Sequence, residues 1–420
     1  MHKIKEKKHW QNYRIIFRCC LVLIFFLIFK TSLCQKLDDS THTVRVFSQL
    51  IQQKQFASAH HFLEDKIRDY GVNPNYICLI IDNGLRNYFR QDNFEIFYLI
   101  NQTDLPNNLN KSNTNYSSTG SVRHPRQLLE KVVAENPNNA FALKLLGDYY
   151  NIQLQYIKNL NDIPENKLTG LEEKIFSYYS HAARLGYNDV SLNRWLGDYY
   201  LNKNQLELAE QYYQNNIKAL AKDPYAYHYM AKLYYKKKSY TQAYNYAVQS
   251  LEYFAREDLY LKYDAMILAA KSLRELSEND KFLETITKCQ ELIPDEQPAY
   301  ILLSDYYINE NDFDKVEKVL TKMLLYNPFE PTGYRKLENY IISSKRFEFS
   351  DSLFDEMLLK FENWDEALAN IYWAKGNVAY YRGEIPEAKN FWEIGRNYMR
   401  SYLPENHDLI QQIGDESIKK

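Results

Sequence analysis

The pentapeptide Leu146-Gly147-Asp148-Tyr149-Tyr150 returns unchanged at Leu196–Tyr200, and again at Leu303–Tyr307 with Ser304 in place of the glycine. Self-similarity of this kind restricts a chain to an array of small units that bury their apolar faces against their neighbours. After the second copy come Leu206, Ala209, Tyr212, Tyr213 and Ile217, spaced three and four apart as on one face of an amphipathic helix. Asp223-Pro224 follows, and Pro224 both ends that helix and opens another, since proline suits the first helical turn.

Thirty-four residues separate Leu196 from Met230, and also Leu303 from Leu337. With that period go a small residue after the Leu, an aromatic near the end of a first helix (A), an Ala-like residue early in a second (B) and a closing proline. This pattern resembles the tetratricopeptide repeat family. The unit 297–330 fits best: Tyr300, Leu303, Ser304 and Tyr307 on helix A, Val316, Leu320, Met323 and Leu324 on helix B, and Asn327-Pro328 at the end. Pro331–Lys360, Tyr225–Leu251 and Ala369–Met399 follow the same scheme. The unit after Leu259 offers either Ala270 or Leu273 as its small position, and the unit from Ala140 carries an insertion, Asn159–Gly170. The resemblance implies an all-α solenoid of tandem helix-turn-helix repeats, binding partners in a concave groove lined by the A helices.

Composition agrees with an all-helical chain. Glycine and proline number twelve each in 420 residues, and alternating runs closed by turn dipeptides are scarce. Thirty-eight tyrosines suit helix–helix packing, because each buries a ring while its hydroxyl stays at a polar boundary.

The N-terminus reads as a targeting segment, residues 1–34. Lys3, Lys5, Lys7, Lys8, Arg14 and Arg18 precede the apolar run Cys19–Phe29, which is short for a membrane span of about 20 residues. Ser32 and Cys34 fit the minus-three and minus-one positions of a cleavage site, which would start the mature chain at Gln35. An uncleaved anchor and lipidation of Cys34 remain open beside it. All three readings export the repeats, either across or tethered to the cytoplasmic membrane, with a bacterial envelope or a eukaryotic secretory pathway as destination. Losing residues 1–34 removes seven Lys/Arg and one acidic residue, so the formal charge goes from −2 to −8. An acidic chain does not look like a nucleic-acid binder. Cys78 and Cys289, the cysteines left, lie far apart in different repeats and form no disulfide scaffold or zinc pattern.

Residues 35–100 read as degenerate repeats. Phe47, Leu50, Phe56, Ala59, Leu63 and Ile67 have helical spacing, Gly71 is placed to end that helix, and Ile77–Tyr88 with Phe94–Ile100 is expected to form the next helical pair. Residues 101–124 are a polar linker or insertion rich in Asn, Ser and Thr. The array proper spans 125–403, and 404–420 is a capping helix or tail.

The residues that the register points into the groove are Arg194, Asp198, His228, Lys232, Tyr235, Asp305, Ile308, Arg335 and Asn339. This mixture of polar, aromatic and aliphatic groups suits a peptide or a segment of another protein. Some family members clamp a partner's C-terminal carboxylate. Arg335 and Asn339 match half of such a clamp, but Asn370 and Ala374 stand where further basic residues are needed, and Asp198 would repel a carboxylate near Arg194. His60 and His61 point about 100° apart on a helix and are poor joint metal ligands. No phosphate loop, nucleophile elbow or His-Glu-x-x-His motif occurs. The expectation is therefore a non-catalytic scaffold with protein or peptide partners and no cofactor, metal or nucleic acid, touching a membrane only through an uncleaved N-terminal segment. The alternatives are a regulatory or substrate-recruiting subunit of an enzyme or secretion complex, and a self-associating structural spacer.

Overall fold

The computed structural model describes residues 37–87, 89–91, 96–100, 118–158 and 164–413. The expected targeting segment, with its Cys34–Gln35 junction, lies outside them, as do most of the 101–124 insertion and the last seven residues. Among the described residues no helix is long and apolar enough to cross a membrane. The chain forms two compact units, divided between Ala221 and Lys222.

The first unit opens with α1 (Leu37–Gln52) and α2 (Phe56–Tyr70), which Gly71 ends at φ +86°. Next come α3 (Pro74–Asn87) and α4 (Pro125–Glu135), then α5 (Ala140–Lys158) with α6 (Glu165–Arg184), and α7 (Val190–Asn202) with α8 (Leu206–Ala219). A three-stranded antiparallel sheet occupies the connection between α3 and α4: β1 (Phe89–Gln91), β2 (Ile96–Ile100) and β3 (Ser118–Arg123). Phe89 pairs with Tyr98 and Ile96 with Arg123, with a register shift at Leu99/Ile100. This corrects the helix expected at Phe94–Ile100. The run Ile96-Phe97-Tyr98-Leu99-Ile100 is apolar at every position, so it has no period to choose helix over strand, and its β-branched and aromatic side chains suit a pleated surface. The expected linker likewise ends in a strand, and Val122 of β3 is buried in the core.

The second unit is a run of helical hairpins: α9 (Pro224–Lys236) with α10 (Tyr240–Tyr253), α11 (Leu259–Glu275) with α12 (Asn279–Leu292), α13 (Gln297–Asn309) with α14 (Phe313–Tyr326), α15 (Pro331–Ser344) with α16 (Phe347–Lys360), and α17 (Asp365–Arg382) with α18 (Ile385–Met399). A short α19 (Asp408–Gln412) caps the end, burying Ile410 and Ile413.

One turn closes the hairpins. Its last residue is left-handed: Asn204, Lys238, Ser277, Asn311 and Lys345 at φ 58–61°, and Gly383 at +91°. The following amide reaches back along helix A, as in Gln205 N to Tyr200 O (2.8 Å) and Ser239 N to Tyr234 O (2.9 Å), satisfying carbonyls that a helix end leaves free. Counting back seven positions from each left-handed residue gives Gly197, Ala231, Ala270, Ser304, Glu338 and Gly376. The turn therefore selects Ala270, not Leu273, as the small position after Leu259.

That position sets how the two helices meet. A Cβ built on Gly197 would lie 2.3 Å from the Tyr213 ring, one on Gly147 2.3 Å from Tyr179, and one on Gly376 2.4 Å from Trp392. Where the residue sixteen on is not aromatic, the glycine is absent: Ser304 precedes Leu320, and Ala231 precedes Ala247. These paired residues are buried. Two positions depart from the pattern without being small: Glu338, sixteen before Phe354, and Phe47, seven before the left-handed Lys54 of the α1–α2 turn.

Candidate functional site

The pentapeptide's aspartate belongs to the same device. Tyr213 Oη donates to Asp198 Oδ1 at 2.7 Å, and Tyr179 Oη donates to Asp148 Oδ1 at 2.7 Å. Trp392 Nε1 donates to Asn377 Oδ1 at 3.0 Å in the last hairpin. The aromatic thus lies over glycine and hands its polar edge to the next residue of helix A. Asp198, expected in the groove, is engaged inside its own hairpin. Arg194, one turn earlier on α7, is half-buried.

In the second unit the groove positions link successive A helices. His228 is buried on α9, and its Nε2 lies 2.9 Å from Asp264 Oδ2 of α11. Lys232 Nζ reaches the same oxygen at 2.9 Å, and sits 5.6 Å from the centre of the Tyr229 ring. The His228 hydrogen bond first, and then Lys232, hold the Asp264 carboxyl far below the usual carboxylate range against the opposing effect of burial. Tyr235 meets Tyr240 edge-on at 5.4 Å.

Farther along, Asp305 of α13 forms an ion pair with Lys336 of α15. Asn377 of α17 donates to Glu338 of α15 at 3.0 Å. Ile308 is half-buried against the hairpin core. Arg335 and Asn339 of α15 are exposed, one turn apart, and make no hydrogen bond or ion pair among the described residues. The structure therefore divides the nine expected groove residues. His228, Lys232 and Asp305 join neighbouring helices, Asp198 and Tyr235 pack within a hairpin, Arg194 and Ile308 are half-buried, and Arg335 and Asn339 face solvent.

A buried charge cluster in the first unit went unforeseen. Lys144 is 1% exposed on α5, with Nζ 2.6 Å from Asp148 Oδ2 and 3.8 Å from Asp189 Oδ1. Asp189 caps α7, accepting from Ser191 N at 2.9 Å and Leu192 N at 3.3 Å. Burial pushes the Asp148 carboxyl up. At Asp189 burial acts in the same sense, but Lys144, the Ser191 hydroxyl and Arg86 outweigh it and bring the carboxyl down. Lys144 keeps its proton, because both carboxylates favour the ammonium over the desolvation that opposes it. A lysine paired in this way is a poor nucleophile; it ties α5 to the start of α7. The signal was a lone lysine inside Ala142-Leu143-Lys144-Leu145-Leu146, four residues before an aspartate.

His60 and His61 both contact Glu64, at 3.0 Å each. Among the described residues no group of three or more His, Cys, Asp or Glu is placed to hold a metal ion. Cys78 and Cys289 are buried free thiols, each pushed up to about 12 by burial.

No protein-family model matches the chain. No curated protein matches it either. Solved structures of similar architecture exist. A tetratricopeptide repeat protein from Parabacteroides merdae ATCC 43184 is 13% identical, with 70% of this chain and 92% of that one covered at a TM-score of 0.40. PilF of Pseudomonas aeruginosa is 11% identical, with 54% and 96% covered at 0.38. TTC0263 of Thermus thermophilus, a tetratricopeptide repeat protein, is 16% identical, with 55% and 97% covered at 0.33. At these identities and TM-scores the likeness says nothing of what this chain binds.

Proposed function

We propose that this array of tetratricopeptide-like hairpins is a non-catalytic scaffold that holds a segment of a partner protein on the A-helix face of its second unit. The observation that carries the reading is the unequal treatment of charge on that face. Asp264 and Asp305 are matched by Lys232 and Lys336 of neighbouring helices, whereas Arg335 and Asn339 stand exposed and unmatched among the described residues. The matched pairs hold successive A helices in register, and the unmatched guanidinium and amide offer donors to a carboxylate or to the carbonyls of an extended chain. The N-terminal basic and apolar run supports an exported or membrane-tethered location.

Affinity purification after mild cross-linking in the native cell tests this, with wild type beside Arg335→Glu/Asn339→Ala. Both sites are exposed, so stability should stay within about 0.5 kcal/mol. The expected result is a near-stoichiometric partner retained by wild type and lost by the variant. Equal recovery with both would remove the face from consideration, and recovery of the chain alone would favour a self-associating spacer.

A further inference from the structure

A groove lies on the opposite helices of the second unit, between α14 and α16, enclosing about 780 Å³. One wall is a single face of α14 from Asp314 to Leu325, about 16 Å long at 1.5 Å per residue. The other wall is α16, with Phe349 and Lys360. Leu325 and Phe349 are half-buried and supply apolar surface, and Tyr326 is 52% exposed.

Charges of both signs line this groove. Its carboxylates lie toward the start of α14 and are answered by Arg346, which pairs with Glu317 and lies 3.6 Å from Asp314. Glu317 also accepts from the Tyr340 hydroxyl at 3.3 Å. Of the cations, Lys318 directly follows Glu317, whereas Lys322 and Lys360 lie toward the other end. Lys318 and Lys322 are exposed one turn apart, and Lys360 donates to the Leu325 carbonyl at 2.9 Å from the facing helix. None of the three forms an ion pair among the described residues. Lys322 is held between the Tyr300 and Tyr326 rings, 5.8 Å from each centre, which positions it without neutralising it.

We infer that this groove binds an acidic peptide segment in extended form. An extended chain rises about 3.3 Å per residue, so the groove takes roughly five residues. Side chains alternate in such a chain. One set places carboxylates toward Lys318, Lys322 and Lys360, and the other lays an aliphatic or aromatic group over Leu325 and Phe349. The surface is separate from the A-helix face, and the inference stands without it.

The test is fluorescence anisotropy of a fluorescein-labelled peptide of about six residues, alternating glutamate with leucine or phenylalanine, against the full chain. The expected result is binding that weakens with added salt. A peptide with lysine for glutamate should not bind. Lys318→Glu/Lys322→Glu/Lys360→Glu should lower affinity by at least about tenfold, the glutamine triple variant should lower it less, and Arg335→Glu should leave it unchanged. Circular dichroism confirms that both triple variants fold. Equal binding of both peptides, full binding by the glutamine variant, or no binding by wild type overturns the inference. Loss with Arg335→Glu alone moves the peptide to the A-helix face and removes this groove while sparing the proposed function. Concentration-dependent dimers seen by sedimentation and abolished in the triple variants would make the occupant a second copy, and would equally overturn it.

Discussion

The Tyr213 hydroxyl donates to the Asp198 carboxylate at 2.7 Å, across the hairpin that joins α7 to α8. The ring behind that hydroxyl fills the space above Gly197, so one aromatic side chain accounts for two letters of the repeated pentapeptide. The glycine makes room for the ring, and the aspartate accepts its hydrogen bond.

Replacing Gly197 with alanine separates helix propensity from packing. In an open helix the change gains about 1 kcal/mol. Here the new Cβ would lie 2.3 Å from the Tyr213 ring, and overpacking of that kind costs about 1–3 kcal/mol. Gly197→Ala is expected to destabilise in denaturant unfolding. Adding Tyr213→Leu leaves a small residue facing a leucine, much as Ser304 faces Leu320, so the double variant should lose less than the sum of the single ones. Additive losses would show that ring and glycine are not coupled.

At Lys144 the substitution to methionine leaves two buried carboxylates without their cation. Breaking a buried pair by removing one partner costs about 3–5 kcal/mol. The loss should show as faster amide exchange in α5 and at the start of α7, where Asp189 is the cap. Lys144→Met/Asp148→Asn should recover part of it, since one stranded charge is then gone. Unchanged exchange in α7 would mean that Lys144 does not secure it.

Asp264 makes stability depend on acid. Its carboxyl is held low by His228 and Lys232 in the folded chain. A depressed carboxyl adds stability above its unfolded value, near 4, and loses it as pH falls through the folded value. The second unit should therefore weaken as pH drops below about 4, and Asp264→Asn should show less of that dependence. Carboxyl carbon shifts measured by NMR should place the Asp264 midpoint well below an ordinary aspartate, and Lys232→Met should raise it. An ordinary midpoint in the wild type would mean the bridge between α9 and α11 does not form in solution.

Much of the hairpin architecture was legible in sequence, because the small position, the B-helix apolar stripe and the closing proline sit at nearly constant spacing. Pro224 does open α9, with Asp223 as its cap. What escaped depends on contacts between helices. Asp198 reads as a groove position, and only the folded hairpin shows that it accepts from the Tyr213 hydroxyl of helix B. Asp264 appears in no motif, yet it receives both His228 and Lys232 from the preceding hairpin. The sheet escaped for a different reason: Ile96–Ile100 is apolar throughout, and its partner β3 lies in a segment whose Ser, Thr and Gly content resembles a linker. Lys144 was hidden by its setting, since a single charge among leucines looks like an exposed interruption until its two carboxylates are seen.

The pairing of small position with aromatic bears on how such an array changes over generations. Gly197 and Tyr213 stand on either side of the turn at Asn204, so recombination within that turn separates them and leaves one lineage with a ring and no space, another with space and no ring. Recombination between hairpins, as near Lys222, passes both on together. Whole hairpins are therefore the units that carry this pairing intact when they duplicate, and the identical pentapeptides at Leu146 and Leu196 fit a copy made between hairpins.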